Sequence, residues 1–363
     1  MKYISVFTMF VAGVVTLGAN AEQVPYINAN GIATHNITVM QHTAMRNIFD
    51  NFNGLRTTSF SVVKDGTEPF TGDDTDSHDI YGKMPTYGEY GDDGTVFLPI
   101  RGRNGGDAVA TGAPLWLDWH HTQDTAKFEN FKSVDSRNDL ISFGFANAPK
   151  QLTNGYSQFG GFGGLIISNE DAGNTDLQET GGYIGLYNSY NISKLHIDMA
   201  ADFGTLYTDI DSSFGNQDLT NVYMGAAANI SYDIVLNNAP VLQPGLYAGY
   251  TWVYSHGYES AGGHDVSFND FNAFELSPSI RAITQVGNGW YAALSARYVF
   301  NFASGGDANI HSPVVSELDL MDYGEYGVSI ERILDRFSFA ASLNRRNGGR
   351  TGWNGGVRMQ YRF

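Results

Sequence analysis

Apolar and polar residues alternate along most of the chain after residue 113. In NGWYAALSARYVFNF, Trp290, Ala292, Leu294, Ala296, Tyr298, Phe300 and Phe302 share one face, and Ser295, Arg297 and Asn301 lie on the other. SKLHIDMAADF sets Leu195, Ile197, Met199, Ala201 and Phe203 against His196, Asp198 and Asp202. NVYMGAAANISY and RFSFAASLN follow the same rule. The last stretch, WNGGVRMQYRF, alternates to its final residue, with Trp353, Val357, Met359, Tyr361 and Phe363 against Asn354, Arg358, Gln360 and Arg362. A period of two marks a β-strand with one wet and one apolar face. Such segments are predicted at about 114–125, 137–147, 156–168, 179–190, 193–208, 218–233, 241–255, 270–284, 288–302, 322–333, 335–345 and 351–363.

A soluble sandwich and a transmembrane barrel both alternate. Several features favour the barrel. The polar faces are rich in Gly and Ser with charges of both signs, and aromatics sit near the ends of the apolar faces, as at Trp290 and Phe302 or Trp353 and Phe363. With 43 Gly, 23 Phe, 21 Tyr and 16% charged residues, mean hydropathy stays at −0.23 although every strand has an apolar face. Tight turns near 191, 285–289 and 334–335 alternate with long connections at 255–269 and 303–319. The predicted fold is all-β: a transmembrane antiparallel up-and-down β-barrel of about 12 strands. A strand ending on the last residue fits, because a barrel closes by pairing its last strand with its first. An open edge in lipid would leave backbone groups unpaired.

The other end differs. Residues 1–21 carry Lys2, an uncharged apolar run and Ala19-Asn20-Ala21, the pattern of a Sec-type secretory signal peptide with Glu22 as the mature start. No later stretch is apolar and long enough for a membrane helix. There is no cysteine, which excludes a disulfide framework and thiolate metal ligands. Residues 22–112 form a short N-terminal region before a barrel domain at 113–363. Within it, THNITVMQHTAMRNIFDNFNGLR predicts a helix over about 36–55, with Asn36 or Thr38 as N-cap, Val39, Met40, Met45, Ile48, Phe49 and Phe52 near helical spacing, and Gly54 as the stop. DGTEPFTGDDTDSHDIYGKMPTYGEYGDDG reads as an acidic, Gly-rich loop or tether. Its GDDTDSHD lacks the glycine step and distal Glu of a calcium loop, so it reads as a solvated acidic run. A net charge of −17 argues against nucleic acid.

From APLWLDWHHTQDTAKFENFKSVDSRNDLISFGFA to GWNGGVRMQYRF the chain resembles the translocator β-domain of autotransporters. The resemblance rests on Trp116 and Trp119 in the opening strand, on PVLQPGLYAGYTWVYSHGYESAGG, on NGWYAALSARYVFNF, and on the Gly-Trp-x-Gly ending that leads to aromatic-Arg-Phe. It implies a twelve-stranded barrel whose lumen holds the helix that precedes the first strand. It departs from the family in having a short pre-barrel region with no repeat, hence little or no passenger, and some sixty residues between helix and barrel. Phe363, Tyr361 and Met359 resemble the C-terminal signal that outer-membrane proteins present to their assembly machinery, with the glycine displaced to Gly355–Gly356.

Parity turns Asp198, Asp202, Glu275, Arg281, Arg297, Glu325, Glu331, Arg336, Arg358 and Arg362 inward, where they must be paired or hydrated. Asp118-x-His120 and His196-x-Asp198 put two titratable groups on one strand face, a spacing any alternating strand produces, so no enzymatic activity is expected. GGFGGL at 160–165 lacks the Lys-Ser/Thr of a phosphate loop; its glycines are expected to thin the wall beside the helix. The expected function is a non-catalytic autotransporter-type outer-membrane barrel acting as translocator or surface-anchored scaffold. A small diffusion channel, or an adhesin acting through the long loops, is the alternative. The expected partners are outer-membrane lipid and lipopolysaccharide, the barrel-assembly machinery and periplasmic chaperones. No cofactor is expected.

Overall fold

The computed structural model describes residues 24–53 and 114–362, except 129–132, 153–154, 213–214, 236–239, 260–264, 288, 311, 315–317, 319 and 335. Residues 1–21, expected to be a signal peptide, the acidic stretch and Phe363 lie outside the described residues.

Twelve strands form the barrel: β1 Pro114–Ala126, β2 Val134–Ala146, β3 Gly155–Asp171, β4 Thr175–Ile192, β5 Leu195–Ser212, β6 Gly215–Tyr232, β7 Val241–Ser255, β8 Phe271–Gly287, β9 Trp290–Gly305, β10 Tyr323–Leu334, β11 Phe337–Gly348 and β12 Arg350–Arg362. Each pairs antiparallel with its neighbours in sequence. β12 closes the cylinder on β1, in register from Pro114 opposite Arg362 to Ala126 opposite Arg350. Leu115 lies opposite Tyr361 and Leu117 opposite Met359, so β12 is held in a ladder as far as Arg362.

Alternation sorts the side chains. Met199 and Phe203 of β5, Leu294, Tyr298 and Phe302 of β9, and Trp353, Val357 and Met359 of β12 are exposed on the outer wall, whereas their neighbours Asp198, Asp202 and Asn354 are buried inside. An apolar outer belt with aromatics at its margins is the surface a lipid bilayer covers.

The strands differ from the expected segments mainly in length. β3 to β6 run 17 to 18 residues and carry the wall further at one end. The connections there are consequently short, as at 172–174, and do not follow a simple alternation of tight and long. The two long connections of that end are not bare loops. Tyr258–Glu259, Asp265–Phe268, Ala308–Ile310 and Ser312–Val314 form a small four-stranded sheet across them. At the opposite end Ser193 and Gly289 take left-handed backbone conformations (φ 54° and 69°) to make tight turns. The two ends are called the loop end and the turn end.

One helix, α1 (Val24–Asn53, 30 residues), occupies the lumen. It begins twelve residues before the expected start, and Asn36 and Thr38 are interior residues, not N-caps. At 1.5 Å per residue it is about 45 Å long, more than the height of the apolar belt. Ala29, Ile32, Ala33 and Val39 pack with Phe128, Leu177, Ile210, Leu219, Leu318 and Leu320 at the loop end. Ile37, Met40, Ala44, Met45, Ile48 and Phe49 pack deeper, against inward-turned aromatics such as Trp116, Phe162, Tyr183, Tyr187, Tyr223 and Tyr247.

Those inward aromatics correct the reading of the glycine run. Gly164 of β3, Tyr183 of β4, Gly204 of β5 and Tyr223 of β6 form one cross-strand row. A Cβ on Gly164 would meet the Tyr183 ring, and one on Gly204 the Tyr223 ring. Gly160 likewise receives Tyr187. The glycines of β3 thus make room for rings lying flat on the wall, not directly for the helix. Where the helix itself approaches, the small residues are Gly225, against Gln41, and Gly249, against His42. Replacing Gly204 by Val should lower barrel stability by about 1–3 kcal/mol through overpacking against the fully buried Tyr223. The midpoint of urea unfolding in detergent, followed by the heat-modifiable shift in gel mobility, measures it.

Candidate functional site: the plugged lumen

The site is the contact between α1 and the barrel interior. Almost every side chain of the helix from Ala29 to Phe49 is buried, including Asn30, Thr34, His35, Asn36, Gln41, His42 and Arg46. A helix with polar residues on all sides is stable only if each finds a partner. The wall supplies partners for most of them. Asn36 donates to Ser168 Oγ at 2.9 Å and to the Glu179 carboxylate, and Asn138 donates to Asn36 Oδ1 at 3.2 Å. Gln41 donates to Asp202 at 3.0 Å and accepts from Thr251. His42 Nδ1 lies 2.8 Å from the Tyr247 hydroxyl. Thr34 and Thr38 return their hydroxyls to the carbonyls of Gly31 (2.9 Å) and Thr34 (3.0 Å). His35 bonds the Leu318 carbonyl, tying the helix to the segment that crosses the loop end.

Ion pairs anchor the inner half of the helix. Arg46 pairs with Glu275 of β8, and its guanidinium sits 5.6 Å from the centre of the Tyr247 ring. Asp50 pairs with Arg281 at 3.0 Å, and its carbonyl accepts from Arg358 at 2.8 Å. Asn47 donates to Asp118 at 3.4 Å.

The wall carries its own charge network beside the helix. Glu325 accepts from Arg346 at 3.0 Å and Asn354 at 2.6 Å, and pairs with Arg297 at 3.2 Å. Arg346 reaches Asp124 at 2.8 Å, and Arg350 clasps the same carboxylate at 2.6 and 2.8 Å. Arg358 pairs with Glu331 at 3.3 Å. Arg350 forks onto one carboxylate and Arg346 bridges two, so the buried charges are paired, as burial of charge demands.

Most of the residues that parity turns inward lie in this lumen. Asp198 accepts from Ser189 (2.6 Å) and Asn229 (3.2 Å) on neighbouring strands, and Asp202, Glu275 and Arg281 meet the helix directly. Arg297, Glu325, Glu331 and Arg358 belong to the wall network. Arg336 is corrected. It lies in the turn between β10 and β11 and is exposed, because the strands end at Leu334 and restart at Phe337. The side chain of Arg362 lies outside the described residues. Met359 faces the outer belt, and the Tyr361 ring packs on Phe337 at 4.7 Å.

Asp124, Arg346 and Arg350 were not among the expected charges, although they form a buried cluster. The expected β11 stopped at 345, whereas the strand continues to Gly348 and carries Arg346 inward. Asp118 and His120 are both buried on the wall, and His196 lies between Asn191 and Asp233 Oδ2 (3.0 Å). Among the described residues no group of three or more His, Cys, Asp or Glu side chains could hold a metal ion.

The family model for the autotransporter beta-domain matches residues 119–344, well over half the chain. The chain belongs to the autotransporter β-domain family. No curated protein matches it. Among solved structures, it is similar to the translocator domain of the autotransporter NalP from Neisseria meningitidis. That match has 11% identity and a TM-score of 0.59, over 70% of this chain and 89% of that one. The transport unit of AIDA-I from Escherichia coli matches at 13% identity and a TM-score of 0.55, over 69% and 90%. The beta domain of the Bordetella autotransporter BrkA matches at 15% and 0.58, over 69% and 100%. At such identities the structures speak for the fold, and the family match speaks for membership. The autotransporter β-domain here is an outer-membrane β-barrel.

Replacing Glu275 by Ala leaves Arg46 as an unpaired charge and should cost about 3–5 kcal/mol. Replacing Arg46 by Met together with Glu275 by Leu should cost far less, since both charges leave together. Unfolding midpoints of the three proteins in one detergent check this.

Proposed function

We propose that this autotransporter β-domain is a translocator or surface-anchored scaffold held in a closed state by α1, without catalytic activity. The observation that carries the reading is the helix's fit. From Ala29 to Asp50 nearly all its side chains are packed against or bonded to the wall, and its polarity puts the N-terminal end at the loop end and Asp50 past mid-height toward the turn end. With the loop end outside and the turn end in the periplasm, any segment N-terminal to the helix faces the exterior, the polarity a translocator requires. The strand β1 then starts from the periplasmic side.

The burial of the paired titratable groups supports the non-catalytic reading. His196 is fully buried in the wall, its ring nitrogens held by the Asn191 side chain and by Asp233 Oδ2 at 3.0 Å. Asp118, which accepts from Asn47, and His120 are both buried beside the C-terminal half of α1.

Export through a Sec-type signal peptide at residues 1–21 is part of the proposal, as is insertion by the barrel-assembly machinery with the help of periplasmic chaperones. The apolar belt would face outer-membrane phospholipid, with lipopolysaccharide in the outer leaflet. Phe363, Tyr361 and Met359 would supply the recognition end.

The porin-like alternative requires an open lumen. In a planar bilayer the intact protein should be nearly silent, and deletion of residues 24–53 should open stable, ion-conducting states. Large steady conductance from the intact protein would favour a channel instead.

A further inference from the structure

The outer wall carries a dent that alternation alone does not explain. Near the turn end, β8 to β11 present two outward cross-strand rows. One is Ala282, Leu294, Val328 and Leu343, and the next, closer to the turns, is Thr284, Ala292, Ile330 and Ala341. The second row is small at three of its four positions. Beneath Leu294, Val328 and Leu343 it leaves an apolar groove of about 500 Å³, with Pro240 at its margin. The lining is almost wholly hydrocarbon, so water is a poor occupant and a lipid chain a good one.

The groove has a charged end. The next row toward the turns is Trp290, Arg332 and Phe339. Arg332 lies on the outward parity, between two aromatics, with its guanidinium 5.0 Å from the centre of the Trp290 ring. A cation on the lipid side is costly at mid-membrane and cheap at the interface, so its place beside the girdle tryptophan fixes it at headgroup depth. A guanidinium there presents paired donors suited to a phosphodiester. Arg345 stacks on Trp353 in the same manner at 5.0 Å, nearer the loop end, and none of its neighbours lines the groove except Leu343 and Ser342.

We propose that the groove over Thr284, Ala292 and Ala341 holds one acyl chain of a glycerophospholipid of the periplasmic leaflet, whose phosphate is bound by Arg332. The site is a cleft for a chain on the greasy wall joined to a cation for a headgroup, and each half lies where the other needs it. The leaflet rests on the orientation proposed above, with the turn end in the periplasm.

Native mass spectrometry of the full chain, extracted from membranes and exchanged into a delipidating detergent, tests it. The wild type should keep one phospholipid. Arg332→Gln and Ala341→Phe, the second filling the groove, should each lower its occupancy by about tenfold, and Arg345→Gln should leave it unchanged. Heat-modifiable mobility on the same samples reports whether each variant folds. Absence of bound phospholipid in the folded wild type, or equal retention by all four proteins, overturns the proposal. Retention of lipid A in place of phospholipid, lost in Arg332→Gln, would keep a lipid groove but reverse the leaflet, and so contradict the orientation and this assignment together. A protein that fractionates away from the outer membrane would instead contradict the functional reading alone.

Discussion

A backbone inside lipid has no water to bond, so each of its amides must find a partner within the protein. The pairing of β1 with β12 meets that demand for the two strands that would otherwise be edges. The rest of the structure follows from this seam. A closed cylinder has one apolar surface, which faces the bilayer, and one enclosed surface, which does not. Alternation then obliges half of every strand to point into a confined space.

That confined space explains the character of the helix. The lumen collects carboxylates and guanidinia from many strands, and α1 brings Arg46, Asp50, Asn36 and Gln41 to meet them. The helix is not amphipathic in the ordinary sense because its surroundings are not. Toward β1 to β7 it meets packed aromatics with Ile37, Met40, Ile48 and Phe49 and carboxylates with Asn36, Gln41 and Asn47; toward β8 and β12 it meets ions with Arg46 and Asp50. Wall and helix satisfy each other, and neither interior would be comfortable alone.

The strands were readable because a period of two needs only local information, and the alternating faces of Met199, Phe203, Leu294 and Val357 come out as read. The same holds for Glu275, Arg281, Glu325 and Arg358, whose inward direction follows from parity. What escaped depended on neighbours in space. Asn36 has the chemistry of a helix cap, yet Ser168, Asn138 and Glu179 supply partners that let it sit mid-helix. That the Tyr183 and Tyr223 rings lie over Gly164 and Gly204 is set by pairing across the sheet, which no single strand shows. Arg346 was lost through three residues of strand length, and Arg336 was gained wrongly through a turn that parity does not count. The long connections hid a small sheet because its strands are only two to four residues long.

The seam itself admits the most direct measurement. The chain has no cysteine, so a pair introduced at Leu117 and Met359 reports one contact without competition. These positions face each other across β1 and β12 on the lipid side. Oxidation of the membrane-inserted protein should join Leu117→Cys to Met359→Cys rapidly and give a denatured species of faster gel mobility. Leu117→Cys paired with Trp353→Cys, three rows further along the same face, should stay unjoined. Failure of the first pair to join in folded protein, or joining of the second in its place, would contradict a barrel closed in this register.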